Sequence, residues 1–365
     1  MCDTGSWSNM KRILYTSAVV AAVAAVALVI LAWQAMRFLD SPLNLPEEGL
    51  TYEVAPGTAF AAVSNDLNRR GVLSHPRMFR WYARLTGDAS RIHAGEYRLE
   101  AGITPPELLE RFVSGAVLLH SFTIVEGWTY RELLAALNRH DAIIQTVEPE
   151  EWTELLETLG AEASHPEGLF LPETYRFPRG TPDVEILRRS YEMMARALED
   201  EWTDRAPDLP LSTPYEALIL ASIIERETAR EDERERIAGV FVRRLQKGMR
   251  LQTDPTVIYG IGLGFDGNLT RRHLQTSTPY NTYTISGLPP TPIALPGRAS
   301  IRAALNPAPG AELYFVATGL PDGSHRFSAT KAEHDAAVAE YLARLRQSRT
   351  GAAADTQNGD ANGAR

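Results

Sequence analysis

The run Leu218-Ile-Leu-Ala-Ser-Ile-Ile-Glu-Arg-Glu-Thr228 places a carboxylate at the end of an apolar segment. Just upstream, Thr213-Pro-Tyr-Glu216 has the order of a capping box with proline at the first helical position, which predicts the start of a helix. The apolar side chains cover nearly every direction of a 3.6-residue period, so protein is expected to surround this part of the helix. Glu225 should then lie at the edge of a core.

Glu225 is the first candidate for acid–base chemistry. A carboxyl group at the edge of a core loses hydration, which disfavours its charged form and suits a general acid. Ser222 and Thr228 lie three residues to either side, on the same helix face, and could hydrogen-bond the group that Glu225 serves. Glu227 is expected to point away, since a helix turns ~100° per residue. On spacing alone, Glu225 could equally begin the solvated charged segment over residues 230–236.

Near the N-terminus, residues 13–33 contain no charged side chain. At ~1.5 Å per residue this segment reaches about 30 Å, which matches the hydrocarbon core of a bilayer. It is longer than the apolar region of a signal peptide. We therefore predict an uncleaved transmembrane helix over residues 13–36.

Basic residues on either side of this helix indicate its orientation. Lys11 and Arg12 precede it, whereas Arg37 alone follows it. The positive-inside rule then predicts a cytoplasmic leader over residues 1–12 and a body outside the cytoplasm. Residues 37–49 are predicted to form an extended linker.

The composition excludes several classes of function. The chain has 365 residues and a formal net charge of −9, which argues against nucleic-acid binding. Its one cysteine, Cys2, lies in the leader, so the body has no disulfide or thiolate metal site. The eight histidines have no metal-ligand spacing. We expect no metal and no cofactor.

The rest of the chain predicts an α+β fold in two domains. Residues 50–118 read as strand, helix, helix, strand, the order of a LysM-like glycan-binding module. The aromatic residues of this domain could stack on sugar rings, although aromatics at helical spacing more often form core. Residues 119–347 are predicted to form the larger mixed domain, and residues 348–365, poor in large apolar side chains, a disordered tail.

Several loops of the larger domain combine turn formers, amides, hydroxyls and aromatic rings. Polar and aromatic side chains together are typical of a carbohydrate groove, whereas each one separately could simply stabilise a turn. The loop over residues 166–177 carries Glu167 and Glu173, which could also only accept backbone N–H groups. The remaining candidates for substrate binding are Gln252, Thr253 and Asp254, before a proline expected to force extended or turn backbone, and Tyr280, Asn281 and Tyr283 in a later segment.

These motifs together resemble the endolytic murein transglycosylase family, MltG or YceG-like. The resemblance rests on Leu-Ala-Ser-Ile-Ile-Glu-Arg-Glu-Thr, Leu-Gln-Thr-Asp-Pro-Thr-Val-Ile-Tyr-Gly, Tyr-Asn-Thr-Tyr and Gly-Leu-Pro-Pro-Thr-Pro-Ile, with Glu-Gly-Trp-Thr and Leu-Pro-Glu-Thr-Tyr upstream. It spans about residues 50 to 345. It implies a single-pass inner-membrane protein whose periplasmic body cuts peptidoglycan glycan strands internally, with Glu225 as the catalytic residue. Arg226 and Arg243 stand where the family often has Lys and Asn.

The mechanism implied by this resemblance needs one carboxylate. Glu225 protonates the oxygen of the MurNAc–GlcNAc β-1,4 bond and then takes the proton of the MurNAc C6 hydroxyl, which closes a 1,6-anhydro ring. Gln252, Asn281 and Tyr283 are candidates for holding acetamides, and Asp254 for steadying positive charge. Family resemblance also suggests that such an enzyme ends nascent strand elongation beside membrane-bound peptidoglycan synthases.

Two alternatives remain at this point. A peptidoglycan hydrolase would pair Glu225 with a second carboxylate, Asp254 or Glu173, and release reducing ends. A membrane-tethered, non-enzymatic peptidoglycan-binding scaffold would retain its function in cells after Glu225→Gln. The separation of the acids around Glu225 is the observation that bears on this choice.

Overall fold

A computed structural model describes residues 5–148 and 152–362, with side chains over residues 14–148 and 152–347. The chain forms two compact units. The first comprises the residues up to His120 together with Phe177–Gly180, and the second comprises Ser121–Arg176 and the residues from Thr181 onward. Elements are a mixture of helices and short two-stranded sheets, as the α+β expectation requires.

The first unit begins with a long apolar helix, α1 (Gly5–Asp40). Its stretch Leu14–Asp40 has a mean hydropathy of 2.5 and no buried share, so by length and composition it can cross a membrane. This stretch contains most of the predicted membrane helix. Residues 1–4 of the predicted leader, including Cys2, lie outside the described part of the chain.

The remainder of the first unit has the predicted order of strand, helix, helix, strand. Strand β1 (Leu50–Val54) pairs antiparallel with β2 (Gly95–Leu99). The core side chains Phe79, Tyr97 and Phe112 are fully buried. The LysM-like character of this unit stays a prediction. Its helices are α2 (Phe60–Arg69), α3 (Pro76–Leu85) and α4 (Pro105–Ser114).

The segment predicted as a linker, residues 37–49, is instead packed on this unit. Phe38 and Leu43 are buried in the core of the unit, because both side chains are apolar and find apolar neighbours there. Backbone hydrogen bonds from Leu43 N to Ile103 O (2.8 Å) and from Asn44 N to Val72 O (3.1 Å) fix the chain as it leaves α1. The folded core of the first unit therefore includes the end of the apolar helix and the segment that follows it.

The second unit is mainly helical. Its described helices are α5 (Tyr130–Leu137), α6 (Trp152–Leu159), α7 (Asp183–Thr203), α8 (Pro214–Glu227), α9 (Glu231–Gln246), α10 (Asp254–Ile261), α11 (Arg271–Gln275), α12 (Arg298–Leu305) and α13 (Lys331–Asn362). Along the described chain, the remaining strands pair as β3 (Leu119–Thr123) with β5 (Thr174–Pro178), β4 (Ile143–Ile144) parallel to β6 (Thr181–Pro182), and β7 (Tyr314–Ala317) antiparallel to β8 (His325–Ser328).

Helix α8 is the centre of this unit. Residues 217–224 are all buried, and the helix packs against α7, α9, α10 and α12, which confirms the prediction of an enclosed helix. Thr213 caps it by accepting a hydrogen bond from Glu216 N at 3.2 Å. The Glu216 carboxylate, however, accepts from Ser212 N rather than from Thr213 N. The cap is confirmed, and only its reciprocal bond is shifted by one residue.

Two predicted segments differ in form. The chain around Pro255 was expected to be extended or a turn, but α10 begins at Asp254 with the proline in its first turn. Proline fits there because the first helical N–H groups have no partner within the helix.

The backbone of α13 continues to Asn362, within the predicted tail of residues 348–365. That tail stays a prediction, and residues 363–365 lie outside the described chain.

Candidate active site

Glu225 lies in the last turn of α8, at the edge of the core, as the sequence predicts. Its side chain is only 6% exposed. Gly297 N donates a hydrogen bond to Glu225 Oε2 at 3.0 Å, and Arg234 Nη2 of α9 lies 3.7 Å from Oε1. A buried carboxylate is tolerated when hydrogen bonds and an opposite charge compensate its lost hydration. One oxygen of Glu225 is thus fixed by backbone and the other faces a cation.

A second carboxylate, Glu126, shares this arginine. Glu126 Oε2 lies 3.6 Å from Arg234 Nη2, and the Glu126 side chain is 47% exposed. Burial and the neighbouring Glu225 charge raise the pKa of Glu126, while Arg234 opposes them. The two carboxylates therefore share one nitrogen of the Arg234 guanidinium group. Sequence reasoning missed this pairing because 98 intervening residues leave no local spacing that would indicate it.

The loop that carries Glu126 is bonded to both sides of the site. Gly127 N donates to Leu295 O (2.9 Å), and Leu295 N donates to Trp128 O (2.7 Å). From α8, Arg226 Nη1 donates to Gly127 O at 3.0 Å. The Glu-Gly-Trp-Thr motif and the proline-rich loop thus form one backbone support beside Glu225.

Gly297 has a steric reason to be glycine. A Cβ at this position would overlap the carboxylate of Glu126. The absent side chain therefore lets the Gly297 backbone approach Glu126 closely while its N–H remains available to Glu225.

Ser222 supports the site without reaching its surface. The side chain is fully buried; its Oγ donates to Ile219 O (2.7 Å) and accepts from Ile293 N (3.0 Å). It therefore attaches the proline-rich loop to α8, in place of the predicted contact with the group that Glu225 serves. Thr228 ends the helix, and its Oγ1 accepts from Arg230 N.

The Gln-Thr-Asp cluster surrounds Glu227, which was expected only to point away from Glu225. Thr253 Oγ1 donates to Glu227 Oε1, and Tyr283 OH donates to Asp254 Oδ1 at 2.6 Å. Burial raises the pKa of Glu227 to about 7. Sequence reasoning gave Glu227 no role, because helix periodicity gives its direction without showing what packs there.

Exposure separates the members of this cluster. Gln252 and Asp254 are exposed, whereas Thr253 is buried. Gln252 has a backbone φ of 53°, in the left-handed region, and its Oε1 lies 3.5 Å from Arg244 Nη1. The exposed side chains of Gln252 and Asp254 therefore flank the buried Thr253 on one backbone segment.

Asn281 forms hydrogen bonds with the backbone of its own loop. It is fully buried, and its Nδ2 donates to the carbonyl oxygens of His273 (3.1 Å), Leu274 (3.2 Å) and Thr276 (2.6 Å). Its Oδ1 accepts from Tyr283 N at 2.9 Å. The turn-stabilising alternative therefore describes the observed bonds of this predicted acetamide ligand.

Tyr280 and Glu167 belong to a third cluster. Tyr280 OH is 2.8 Å from Thr291 Oγ1, and its ring packs edge-on against Tyr259. Tyr259 OH donates to Glu167 Oε2 at 3.0 Å, and Tyr130 N donates to Glu167 Oε1 at 2.8 Å. Burial raises the pKa of Glu167 to about 7.

Glu173 is exposed and accepts a hydrogen bond from Thr174 N at 2.8 Å. Both Glu167 and Glu173 accept backbone N–H groups, as the structural alternative in the sequence analysis expected. Arg243, where the family often has Asn, donates to Glu312 O (2.7 Å) and Ala308 O (3.0 Å). It therefore braces the chain before β7. Among residues whose side chains are described, no group of three or more His, Cys, Asp or Glu could hold a metal ion.

Comparison with known proteins now gives the class. The sequence model of the YceG-like family matches residues 52–340, and the chain belongs to that family. A crystal structure of a putative yceG-like protein from Listeria monocytogenes is similar, with a TM-score of 0.50 and 28% identity over 80% of this chain and 99% of that one.

Two relatives have names that describe an activity. The endolytic murein transglycosylase of Bacillus subtilis is 29% identical over 306 residues, covering 79% of this chain and 84% of that protein. The endolytic murein transglycosylase of Streptococcus pneumoniae is 26% identical over 340 residues, covering 83% of this chain. The match spans 61% of the pneumococcal protein's length.

Proposed function

We propose that this protein is an endolytic murein transglycosylase, a lyase that cuts peptidoglycan glycan strands internally at the MurNAc–GlcNAc β-1,4 bond. Family membership and the names of its relatives support the activity. The environment of Glu225 supports its assignment as the catalytic residue. Gly297 N–H donates to one carboxylate oxygen, and Arg234 lies beside the other.

In this mechanism Glu225 acts twice. Because Gly297 N–H holds Oε2, Oε1 is the atom that exchanges protons. The carboxyl group first protonates the glycosidic oxygen, and the bond from the MurNAc anomeric carbon to that oxygen breaks. The carboxylate then takes the proton of the MurNAc C6 hydroxyl, whose oxygen bonds to the anomeric carbon. Glu225 returns to its starting protonation state, and the product has a 1,6-anhydro end without consuming water.

Exposure divides the remaining candidates into substrate contacts and supports. Gln252 and Asp254 are exposed, and Tyr283 is partly exposed, so these three are proposed to meet the glycan. Ser222, Thr253 and Asn281 are buried and are proposed to position loops. Tyr280 and Glu173 remain candidates for contacts at the periphery of the groove.

A two-carboxylate hydrolase is the second candidate, and Glu126 is the observation that favours it. The Glu126 and Glu225 oxygens lie 3.6 and 3.7 Å from the same nitrogen, so their separation cannot exceed the sum of these distances. Glycosidases place their two carboxyl groups ~5–5.5 Å apart for retention and ~6.5–9.5 Å apart for inversion. Glu126, rather than Asp254 or Glu173, is the partner to test.

The apolar helix supports membrane anchoring, and the proposed topology is a cytoplasmic N-terminus with a periplasmic body. From this position the enzyme would meet new glycan strands beside membrane-bound synthases and end their elongation. These partners follow from the proposed reaction and the anchor.

The test is mass spectrometry of purified peptidoglycan treated with the full chain in detergent, wild type beside Glu225→Gln. Internal products with anhydro-MurNAc ends from the wild type alone support the proposal and the role of Glu225. Reducing ends would support the hydrolase. No cleavage of nascent or mature strands would leave the scaffold alternative, in which binding alone is the function.

A further inference from the structure

One surface of the first unit combines arginines with exposed large apolar side chains. Helix α3 carries Arg77, Trp81, Arg84 and Leu85 at spacings of four, three and one residues, which places them on one helix face within ~100°. All four are exposed, with Trp81 at 64% and Leu85 at 67%. We call this face the basic–aromatic stripe.

In the part of the chain whose side chains are described, the arginines of the stripe have no acidic partner. The opposite face of α3 buries Phe79 and Ala83 in the core, so the helix is already anchored without the stripe. Among residues with described side chains, neither Arg77 nor Arg84 forms an ion pair. Helix α3 has no acidic residue, although the whole chain has a net charge of −9. Positive charge is therefore concentrated on a face that also exposes two large apolar side chains.

The apolar helix α1 leads directly to this helix. Trp33, a residue type typical of the membrane interface, is followed on the same helix by Phe38, which is buried in the first unit. The five residues from Trp33 to Phe38 rise ~7.5 Å along the helix. One headgroup layer is roughly 5–8 Å thick, which is half the difference in thickness between the whole bilayer and its hydrocarbon core. The two lengths are similar. Phe38 packs edge-on against His75, with ring centroids 5.7 Å apart, and α3 begins at the next residue.

With Trp33 at the edge of the hydrocarbon core, the stripe would start near the level where lipid headgroups end. Helix α3 is ten residues long, so every part of the stripe lies within ~15 Å of that level. Arginines are attracted to anionic lipid, and Trp and Leu favour the boundary between headgroups and acyl chains. We propose that the basic–aromatic stripe docks on the anionic leaflet from which α1 emerges, and so holds the first unit against the bilayer.

This inference rests on the proposed anchoring by α1, and its test separates the two. The full chain with Cys2→Ser receives a single cysteine for an environment-sensitive fluorophore at Leu85, at Val26 in α1, or at Ala62, an exposed position on α2. Each labelled chain is reconstituted into nanodiscs of phosphatidylglycerol with phosphatidylethanolamine, or of phosphatidylcholine alone. Lipids with a nitroxide near the headgroup serve as quenchers.

We expect Val26 to report a membrane environment in both kinds of disc. The Leu85 label should be quenched in anionic discs several-fold more than the Ala62 label. Arg77→Gln with Arg84→Gln should reduce that quenching to the Ala62 level, since each arginine adds roughly fivefold to binding at an anionic surface.

Equal quenching at Leu85 and Ala62, with the Val26 label in the membrane, would show that α1 is anchored but that the basic–aromatic stripe does not dock on lipid. A Val26 label that remains in water overturns the anchor itself. If the Leu85 label responds to soluble glycan strands and not to anionic lipid, the stripe is a sugar-binding surface and the proposal is wrong.

Discussion

Replacing Arg234 by methionine should destabilise the fold through Glu225. The arginine side chain is 9% exposed and Glu225 6%, and their charged atoms lie 3.7 Å apart. At an effective dielectric constant of about 20, this pair contributes about 4 kcal/mol of attraction. The lost hydration of Arg234 offsets part of this. We therefore expect a net loss of about 2–3 kcal/mol, just below the ~3–5 kcal/mol typical of an uncompensated buried charge.

The assay is urea unfolding of the full chain in detergent, followed by tryptophan fluorescence, as a double-mutant cycle with Glu225→Gln. In the Glu225→Gln background, Arg234→Met should cost less than about 1 kcal/mol, because no buried charge is left without a partner. Arg236→Met is the matched control. Arg236 lies on the same helix but is 50% exposed in its pair with Glu312, so its loss should be small. Equal losses from Arg234→Met in both backgrounds would show that Arg234 does not stabilise the fold through Glu225.

Three further predictions concern Glu167, Gly297 and Asn281. Because burial raises the folded-state pKa of Glu167 to about 7, its contribution to stability is greatest below about pH 4.5 and declines as pH rises to about 7, by up to about 3 kcal/mol. Glu167→Gln should remove the Glu167 share of this pH dependence and leave the share of Glu227, whose pKa burial also raises to about 7, whereas Glu173→Gln should leave the curve unchanged. Gly297→Ala should displace the half-exposed Glu126 side chain and cost less than about 1 kcal/mol; a larger loss that disappears when Glu126→Ala is added would show instead that the carboxylate cannot move aside. Asn281→Ala should lower thermal stability, with several backbone carbonyls left unsatisfied; a variant with unchanged stability and a raised KM would instead make Asn281 a substrate ligand.

The parts of the fold that could be predicted from sequence are those specified by local patterns. The enclosed helix α8 follows from a hydroxyl cap, a first-turn proline and apolar residues in all directions, and α1 follows from an uncharged run long enough to span a bilayer. Glu225 at the edge of the core is a consequence of where that apolar pattern ends. Each of these inferences needs only neighbours within a few turns of one helix.

The missed features depend on contacts between distant segments. Glu126 lies near Glu225 because its loop is hydrogen-bonded to the proline-rich loop at Leu295. No sequence periodicity relates the two positions. Asn281 is predicted to hold substrate because an amide in a polar loop is chemically suited to either task; the sequence does not show the three carbonyl oxygens to which its Nδ2 donates. The packing of the predicted linker depends on distant contacts too, since a short segment that mixes Leu, Pro and charged residues does not reveal that Phe38 and Leu43 meet a core.

In the proposed mechanism Glu225 directs the C6 hydroxyl, and not water, to the anomeric carbon. This is tested by cleavage of peptidoglycan by the full-length wild-type chain in water enriched in oxygen-18, with mass spectrometry of the new MurNAc ends. We expect anhydro ends that contain no oxygen-18 and disappear with Glu225→Gln. One oxygen-18 atom at each new reducing end would contradict this mechanism and assign the protein as a hydrolase, with Glu126 as the second carboxylate to examine.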